Sequence, residues 1–340
     1  MRMTVTDRCI PQEEETARAH TRASPGRAIR GELPLSLKLR HGGDVAAILR
    51  YELVGRDDRP LLIVAGGISA GRHAVSSADF PETGWWEVQK SAFAADRYRI
   101  LSIDWLGSDG ALDLPIDPAD QADAIAHLLI ELGTARAAGF IGASYGGMVG
   151  MQLAARHPGC VGSLLAISAS AHSHPYSSAC RSLQRQALRL GENAGNAEAG
   201  VALARAMAML TYRTPEEFGD RFRLPPKVEA GRVEVGADGY LAAQGARHCR
   251  RMSATAYRRL SESIDLHRVE PADLNVPLTL ASVDHDSLVP AGDIDALAAA
   301  VPGARLNLVH SSYGHDAFLK EEHQIRAILT QFISSLERRQ

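Results

Sequence analysis

The sequence predicts an α/β protein, a mostly parallel central sheet interrupted once by a helical insertion. Three observations predict it. Strand and helix patterns alternate between residues 61 and 167. The strand signal is lost between 168 and 273, and it returns at 276–283 and 306–309. The chain therefore divides into a polar tail over residues 1–30, one domain formed by 31–167 and 274–340, and a helical lid insertion over 168–273. A chain of 340 residues can bury about three quarters of its unfolded surface, so no staples are needed.

The elements follow in order. Alternating apolar residues at 35–39, a turn over 41–44 and a second run over 45–54 predict an antiparallel pair. Residues 61–64, wholly apolar, predict a strand covered on both faces, ended by Gly66 and Gly67. Residues 98–103 predict a further strand, 120–132 a helix, 138–141 a strand, 146–156 a helix broken at His157-Pro158-Gly159, and 161–167 a strand. Such βαβ units imply parallel strands and right-handed crossovers. Within the insertion, helices are expected over 181–190, 197–210 and 248–266, with no buried strand. The alanine-rich stretch 296–300 predicts helix packing, and 322–340 an amphipathic helix.

Composition excludes several partners. Lys and Arg number 37 against 40 Asp and Glu, a net charge of −3, which argues against a broad nucleic-acid footprint or a polybasic membrane patch. No run of 18 apolar residues and no signal-peptide core occurs, so neither export nor a membrane span is expected. Cys9, Cys160, Cys180 and Cys249 are widely spaced and form no CxxC pair, which predicts a reduced, cytoplasmic protein. His172 and His174 form an HxH without further ligands and predict pocket or surface histidines, not a metal site. Arg181, Arg185 and Arg189 repeat at helical spacing and predict a solvated face, and Met207 and Met209 predict core. No bound cofactor is expected.

Gly142-Ala143-Ser144-Tyr145-Gly146-Gly147 stands between a predicted strand and a predicted helix. That context predicts a tight turn that projects the Ser144 hydroxyl as a nucleophile while the next backbone N–H faces a developing oxyanion. A serine needs a base, and His315 follows the last predicted strand. The imidazole needs an orienting carboxylate, for which Asp284 and Asp286 both qualify. The chain order Ser, Asp, His is that of α/β-hydrolases. A second oxyanion donor is expected from the early glycine loop, at the N–H of Ile68 beside that of Tyr145.

Taken together, these segments resemble the homoserine O-acyltransferases of the α/β-hydrolase superfamily over about residues 35–325. Gly67-Ile68-Ser69-Ala70-Gly71-Arg72-His73 is similar to the family's oxyanion loop and Gly84-Trp85-Trp86 to its aromatic segment. Residues 206–213 (AMAMLTYR) are similar to its lid motif, 286–290 (DSLVP) to its acid segment and 314–318 (GHDAF) to its histidine segment. The resemblance implies an α/β-hydrolase fold, Ser144 as nucleophile, His315 as base and Asp286 as its partner, with Ile68 and Tyr145 as oxyanion donors. It also implies that Arg213 binds the acceptor's carboxylate and Asp316 its ammonium, and that the enzyme is a homodimer. Ala143 and Tyr145 depart from the glycine and methionine usual in acetyl-transferring members, and the GGISAGRH and DWLG segments are more like the succinyl-using branch. The implied activity is succinyl transfer from succinyl-CoA to L-homoserine in methionine biosynthesis, with Arg72 a candidate for the extra carboxylate. Acetyl-CoA as donor, serine as acceptor, plain ester hydrolysis, and a noncatalytic small-molecule binding protein are the alternatives.

Overall fold

The computed structural model describes residues 27–338. The expected tail lies outside the described residues as far as residue 26, and Cys9 with it. Its last residues are not tail. Ile29 and Arg30 open strand β1 (Ile29–Leu39), where Arg30 faces Glu52 across the register and its Nε donates to that carboxylate at 2.8 Å. This ion pair anchors the start of the strand, a long-range contact that the local pattern does not reveal.

β1 pairs antiparallel along its whole length with β2 (Gly43–Val54). β3 (Leu61–Ala65), β4 (Arg99–Ile103), helix α1 (Pro118–Glu131), β5 (Gly139–Ala143), α2 (Tyr145–Arg156) and β6 (Leu164–Ile167) complete the first half of the domain. α1 starts two residues before its expected position because Asp117 and Asp120 form a reciprocal capping box around Pro118. After the insertion come β9 (Leu278–Val283), α8 (Ala291–Ala300), β10 (Arg305–Val309), α9 (Ala317–Lys320) and α10 (Glu322–Glu337).

The main sheet has eight strands in the order β1-β2-β4-β3-β5-β6-β9-β10, parallel from β4 to β10 and antiparallel across β1, β2 and β4. β3 lies near the middle with every residue buried. Leu61, Ile63 and Ala65 feed the core on one face, and Leu62 and Val64 the core on the other. Each such Leu, Ile or Val contributes about 1.5–3 kcal/mol relative to exposure, so this apolar run can only be a central strand.

The insertion consists of α3 (Pro175–Asn193), α4 (Ala197–Tyr212), α5 (Pro215–Arg221), a hairpin β7 (Lys227–Glu229) and β8 (Arg232–Glu234), α6 (Asp238–Cys249) and α7 (Ala254–Leu266). Its strands are short and fully exposed. The single helix expected over 248–266 is two helices. The chain breaks after Cys249, and Ser253 restarts it by accepting from the Ala256 N–H at 3.2 Å. Among the described residues no helix is long and apolar enough to cross a membrane, and Cys160, Cys180 and Cys249 are free thiols.

Two buried histidines set a pH limit on stability. Burial pulls His267 down to about 4, although its Nε2 donates to the Ser170 carbonyl at 3.0 Å. Burial, with Arg205 and Arg251 nearby, pulls His248 down to about 4 as well. Between pH 6.5 and 4 the unfolded chain binds protons that the folded chain refuses. Stability therefore falls with pH at up to about 1.4 kcal/mol per unit per histidine. Thermal melting between pH 6.5 and 5, above most carboxylate titration, should show this slope, and it should flatten in a His248→Gln/His267→Gln variant.

Candidate active site

The site is built where β5 turns into α2. Ser144 occupies that turn at φ 54° and ψ −121°, a conformation side chains rarely adopt, and its amide donates to the Ile167 carbonyl of β6 at 2.8 Å. The flanking glycines make the turn possible. A Cβ on Gly142 would stand 2.4 Å from the backbone of Gly146, and one on Gly146 would stand 2.3 Å from the Ala65 carbonyl oxygen. Gly146 N–H in turn donates to the Gly66 carbonyl at 2.9 Å, fastening the turn to the early glycine loop.

The turn points the Ser144 hydroxyl at His315, whose Nε2 lies 2.8 Å from Oγ. His315 Nδ1 lies 2.7 Å from Asp286 Oδ2. The other Asp286 oxygen accepts the Leu288 and Val289 N–H groups at 2.8 and 3.0 Å, so the carboxylate is fully buried yet satisfied. Asp284 is the candidate that does not reach the imidazole. Its carboxylate takes His310 Nδ1 and the Ser311 N–H instead. Burial alone would hold His315 low, but the charge of Asp286 and its hydrogen bond outweigh it and leave the histidine above its ordinary value. Tyr212 stacks on the imidazole and Phe318 meets it edge-on.

Ile68 lines the opening above Ser144 and Tyr145 follows Ser144 at the start of α2, and neither backbone N–H finds an acceptor among the described residues. Three tryptophans position this wall. Trp105 Nε1 donates to the Gly67 carbonyl and Trp85 Nε1 to that of Gly71, both at 3.0 Å, while Trp86 Nε1 donates to the Phe318 carbonyl at 2.9 Å. The Tyr145 ring points away from the opening. It is buried against the edge of Trp105, and its hydroxyl shares a 2.6 Å hydrogen bond with Ser263 of α7. Burial pushes the Tyr145 phenol up, so it remains protonated.

Above Ser144 and His315 lies a cavity of about 200 Å³ roofed by α3, α4 and α7. Asp316 lines it, but Arg213 does not. Arg213 is held behind the wall by Glu217 and by Asp316, whose Oδ2 lies 2.7 Å from the guanidinium Nε. His172 and His174 are at the rim, and among the described residues no group of His, Cys, Asp or Glu is arranged to hold a metal. Arg72 pairs with Asp104 at 3.6 Å and stays outside the cavity.

The expected solvated face of α3 is corrected by the structure. Only Arg189 is exposed. Arg181 is buried, and both Arg181 and Arg185 turn inward to Asp265 of α7 because the helix packs that face against the roof of the cavity. Arg181, Gln184 and Arg205 line the cavity, and local spacing gave no sign of it. Met209 is buried as expected, while Met207 is half-buried.

With this geometry in view, comparison with known proteins is decisive about ancestry. Residues 59–322 match the α/β hydrolase fold family. A homoserine O-succinyltransferase of Xanthomonas campestris pv. campestris is 51% identical over 308 residues, 89% of this chain and 83% of the relative. The chain belongs to the homoserine O-acyltransferase family of α/β-hydrolase fold. A serine O-succinyltransferase from the same species is 34% identical, covering 68% of this chain and 71% of its own. The crystal structure of homoserine O-acetyltransferase from Bacillus anthracis, 16% identical, superposes with a TM-score of 0.80 over 90% of this chain and 97% of that one, a likeness of fold.

The hydrogen-bonded line predicts reactivity independent of any substrate. A fluorophosphonate should modify Ser144, at a rate that rises with pH through a single ionisation above the ordinary histidine value of about 6.5, as His315 loses its proton. Asp286→Asn should slow the labelling by about 100-fold or more. Both follow from mass spectrometry of the labelled peptide across pH.

Proposed function

We propose that the protein is a homoserine O-succinyltransferase, forming O-succinyl-L-homoserine from succinyl-CoA and L-homoserine in methionine biosynthesis. The likeness to the Xanthomonas homoserine O-succinyltransferase is the observation that supports this donor and acceptor. The Ser144, His315 and Asp286 geometry supports a covalent route.

Ser144 Oγ attacks the thioester carbonyl carbon while His315 Nε2 accepts its proton, and Asp286 steadies the imidazolium. The oxyanion forms against the Ile68 and Tyr145 N–H groups. As the tetrahedral intermediate collapses, the C–S bond breaks and His315 returns its proton to the CoA thiolate. The homoserine hydroxyl then loses its proton to His315 as it attacks the acyl-serine, and collapse frees Ser144 with the proton restored. CoA is a co-substrate in this scheme.

Asp316, on the cavity wall, accepts the acceptor's ammonium, and Arg213 grips its carboxylate. Arg213 reaches that carboxylate once Asp316 turns from guanidinium to ammonium, an exchange of one ion pair for two. The roof favours transfer over hydrolysis by restricting water around the acyl-serine. A cytoplasmic homodimer belongs to the same reading. The exposed Leu203, Leu210, Leu224, Val228 and Val233 of the insertion support the dimer, and the widely spaced cysteines support the compartment.

Release of CoA and formation of acyl-amino acid should be followed with succinyl-CoA or acetyl-CoA, and with homoserine, serine or no acceptor. Succinyl-CoA with homoserine should exceed each other combination by about tenfold or more. Preference for acetyl-CoA overturns the donor, preference for serine overturns the acceptor, and equal CoA release without acceptor makes the protein a hydrolase. Ser144→Ala should lower kcat by about 1000-fold or more. Arg213→Ala should raise the homoserine KM by about tenfold or more, and an unchanged KM removes Arg213 from this role.

A further inference from the structure

Among the described residues, the roof of the cavity pairs two arginines with a single carboxylate. Arg181 of α3 places Nε 2.8 Å from Asp265 Oδ1, and Arg185, one turn on, places Nη2 2.8 Å from Asp265 Oδ2. Two guanidinium groups thus share one carboxylate. Arg185 is further satisfied by the Ser261 hydroxyl at 3.0 Å. Arg181 Nη2 also meets the hydroxyls of Ser173 and Ser178, which leaves its Nη1 without a partner among the described residues.

All three charged side chains are largely withdrawn from solvent, with exposures of 9% for Arg181, 15% for Arg185 and 19% for Asp265. An excess positive charge in such a place is costly unless an anion completes it.

The neighbouring Gln184 sharpens the reading. Its Oε1 accepts from the Tyr257 hydroxyl at 3.0 Å, which fixes the amide so that its NH₂ group is the free end. Arg181, Gln184 and Ser261 all line the cavity that holds Ser144 and His315, and the charge of Arg181 is felt at His315. The other cationic candidates are engaged or open. Arg213 is tied to Glu217 and Asp316, Arg72 lies outside the cavity, and Arg205 is half-exposed with its guanidinium 4.9 Å from the Tyr212 ring. CoA phosphates are bulky and strongly hydrated, and they suit an open rim better than a nearly closed roof.

We infer that Arg181, backed by Arg185 and Asp265 and flanked by Gln184, anchors the terminal carboxylate of a dicarboxylic acyl group while its other end is bonded to Ser144. This inference rests on the acyl-transfer reading and deepens it by naming the residue that selects the donor. The carboxylate restores charge balance to the roof, two guanidinium groups then facing two carboxylates.

The test compares kcat/KM for succinyl-CoA, acetyl-CoA and butyryl-CoA, the last matching succinyl in chain length without its charge. The wild-type protein should favour succinyl-CoA over butyryl-CoA by about 30-fold or more. Arg181→Met should lose most of that preference, Arg181→Lys should recover part of it, and the homoserine KM should stay within about threefold. Equal loss with all three donors, a rise confined to the homoserine KM, or a retained succinyl preference in Arg181→Met each overturns the inference. A wild-type protein that transfers no acyl group from any of the three overturns the acyl-transfer reading instead. Should Arg181→Met fail to fold by thermal melting, Gln184→Leu keeps the ion cluster and should lower the succinyl to butyryl ratio by about fivefold, and an unchanged ratio counts against the anchor.

Discussion

The backbone of Ser144 is the constraint on which the rest of the site depends. A non-glycine residue held at positive φ stores strain of about 1–3 kcal/mol, and it persists because β5 and β6 hold the turn from one side and the Gly66 carbonyl from the other. The same turn faces the hydroxyl toward His315, opens the Tyr145 N–H at the start of α2, and requires bare backbone at Gly142 and Gly146. One local conformation therefore aligns nucleophile and base and leaves the Tyr145 N–H open. Relaxing it would lose them together.

Two sets of charged groups stand close to that turn. Asp286 has each oxygen engaged, so it can support an imidazolium without drifting. Arg213 is held by Glu217 and Asp316, and in the proposed reaction an acceptor bearing both charges would separate it from Asp316. A zwitterion can make that exchange with little change in net charge, whereas a simple amine or a simple acid leaves one protein group bare. On this reading, discrimination against half-substrates is built into the resting ion pair.

Much of the fold and the centre of the site were legible because their signals are local. Residues 61–64 are apolar without interruption, and such a run has one economical place in a sheet covered on both faces. The Ser144 turn announces itself through glycines whose absence of Cβ is a steric requirement. The roof was less legible. Arg181, Arg185 and Arg189 look alike at helical spacing, and what separates them is Asp265, 84 residues from Arg181 in the chain and brought close only by the packing of α3 on α7. Motif likeness singled out Asp286 over Asp284, and the backbone path of the acid segment shows why, since only Asp286 faces the imidazole. The break between α6 and α7 was hidden for a different reason: Arg250 and Arg251 are acceptable helix formers, and the Ser253 cap that ends the ambiguity is a single residue.

The hydrogen bond between Tyr145 and Ser263 belongs to a wider set. Ser177 of α3 donates to the Leu288 carbonyl at 2.7 Å, Gln152 of α2 donates to the Arg268 carbonyl just beyond α7 at 2.7 Å, and Arg259 of α7 binds Asp113 at 2.9 Å. These ties make α3 and α7 part of the catalytic body. The inner layer of the insertion is thus fastened to the body at several points, and the cavity above Ser144 stands between these fastened elements. In such a fastened cavity, how completely an acceptor fills the space above Ser144 governs how much room is left for water, so a poorly fitting alcohol would lose more of the acyl group to hydrolysis.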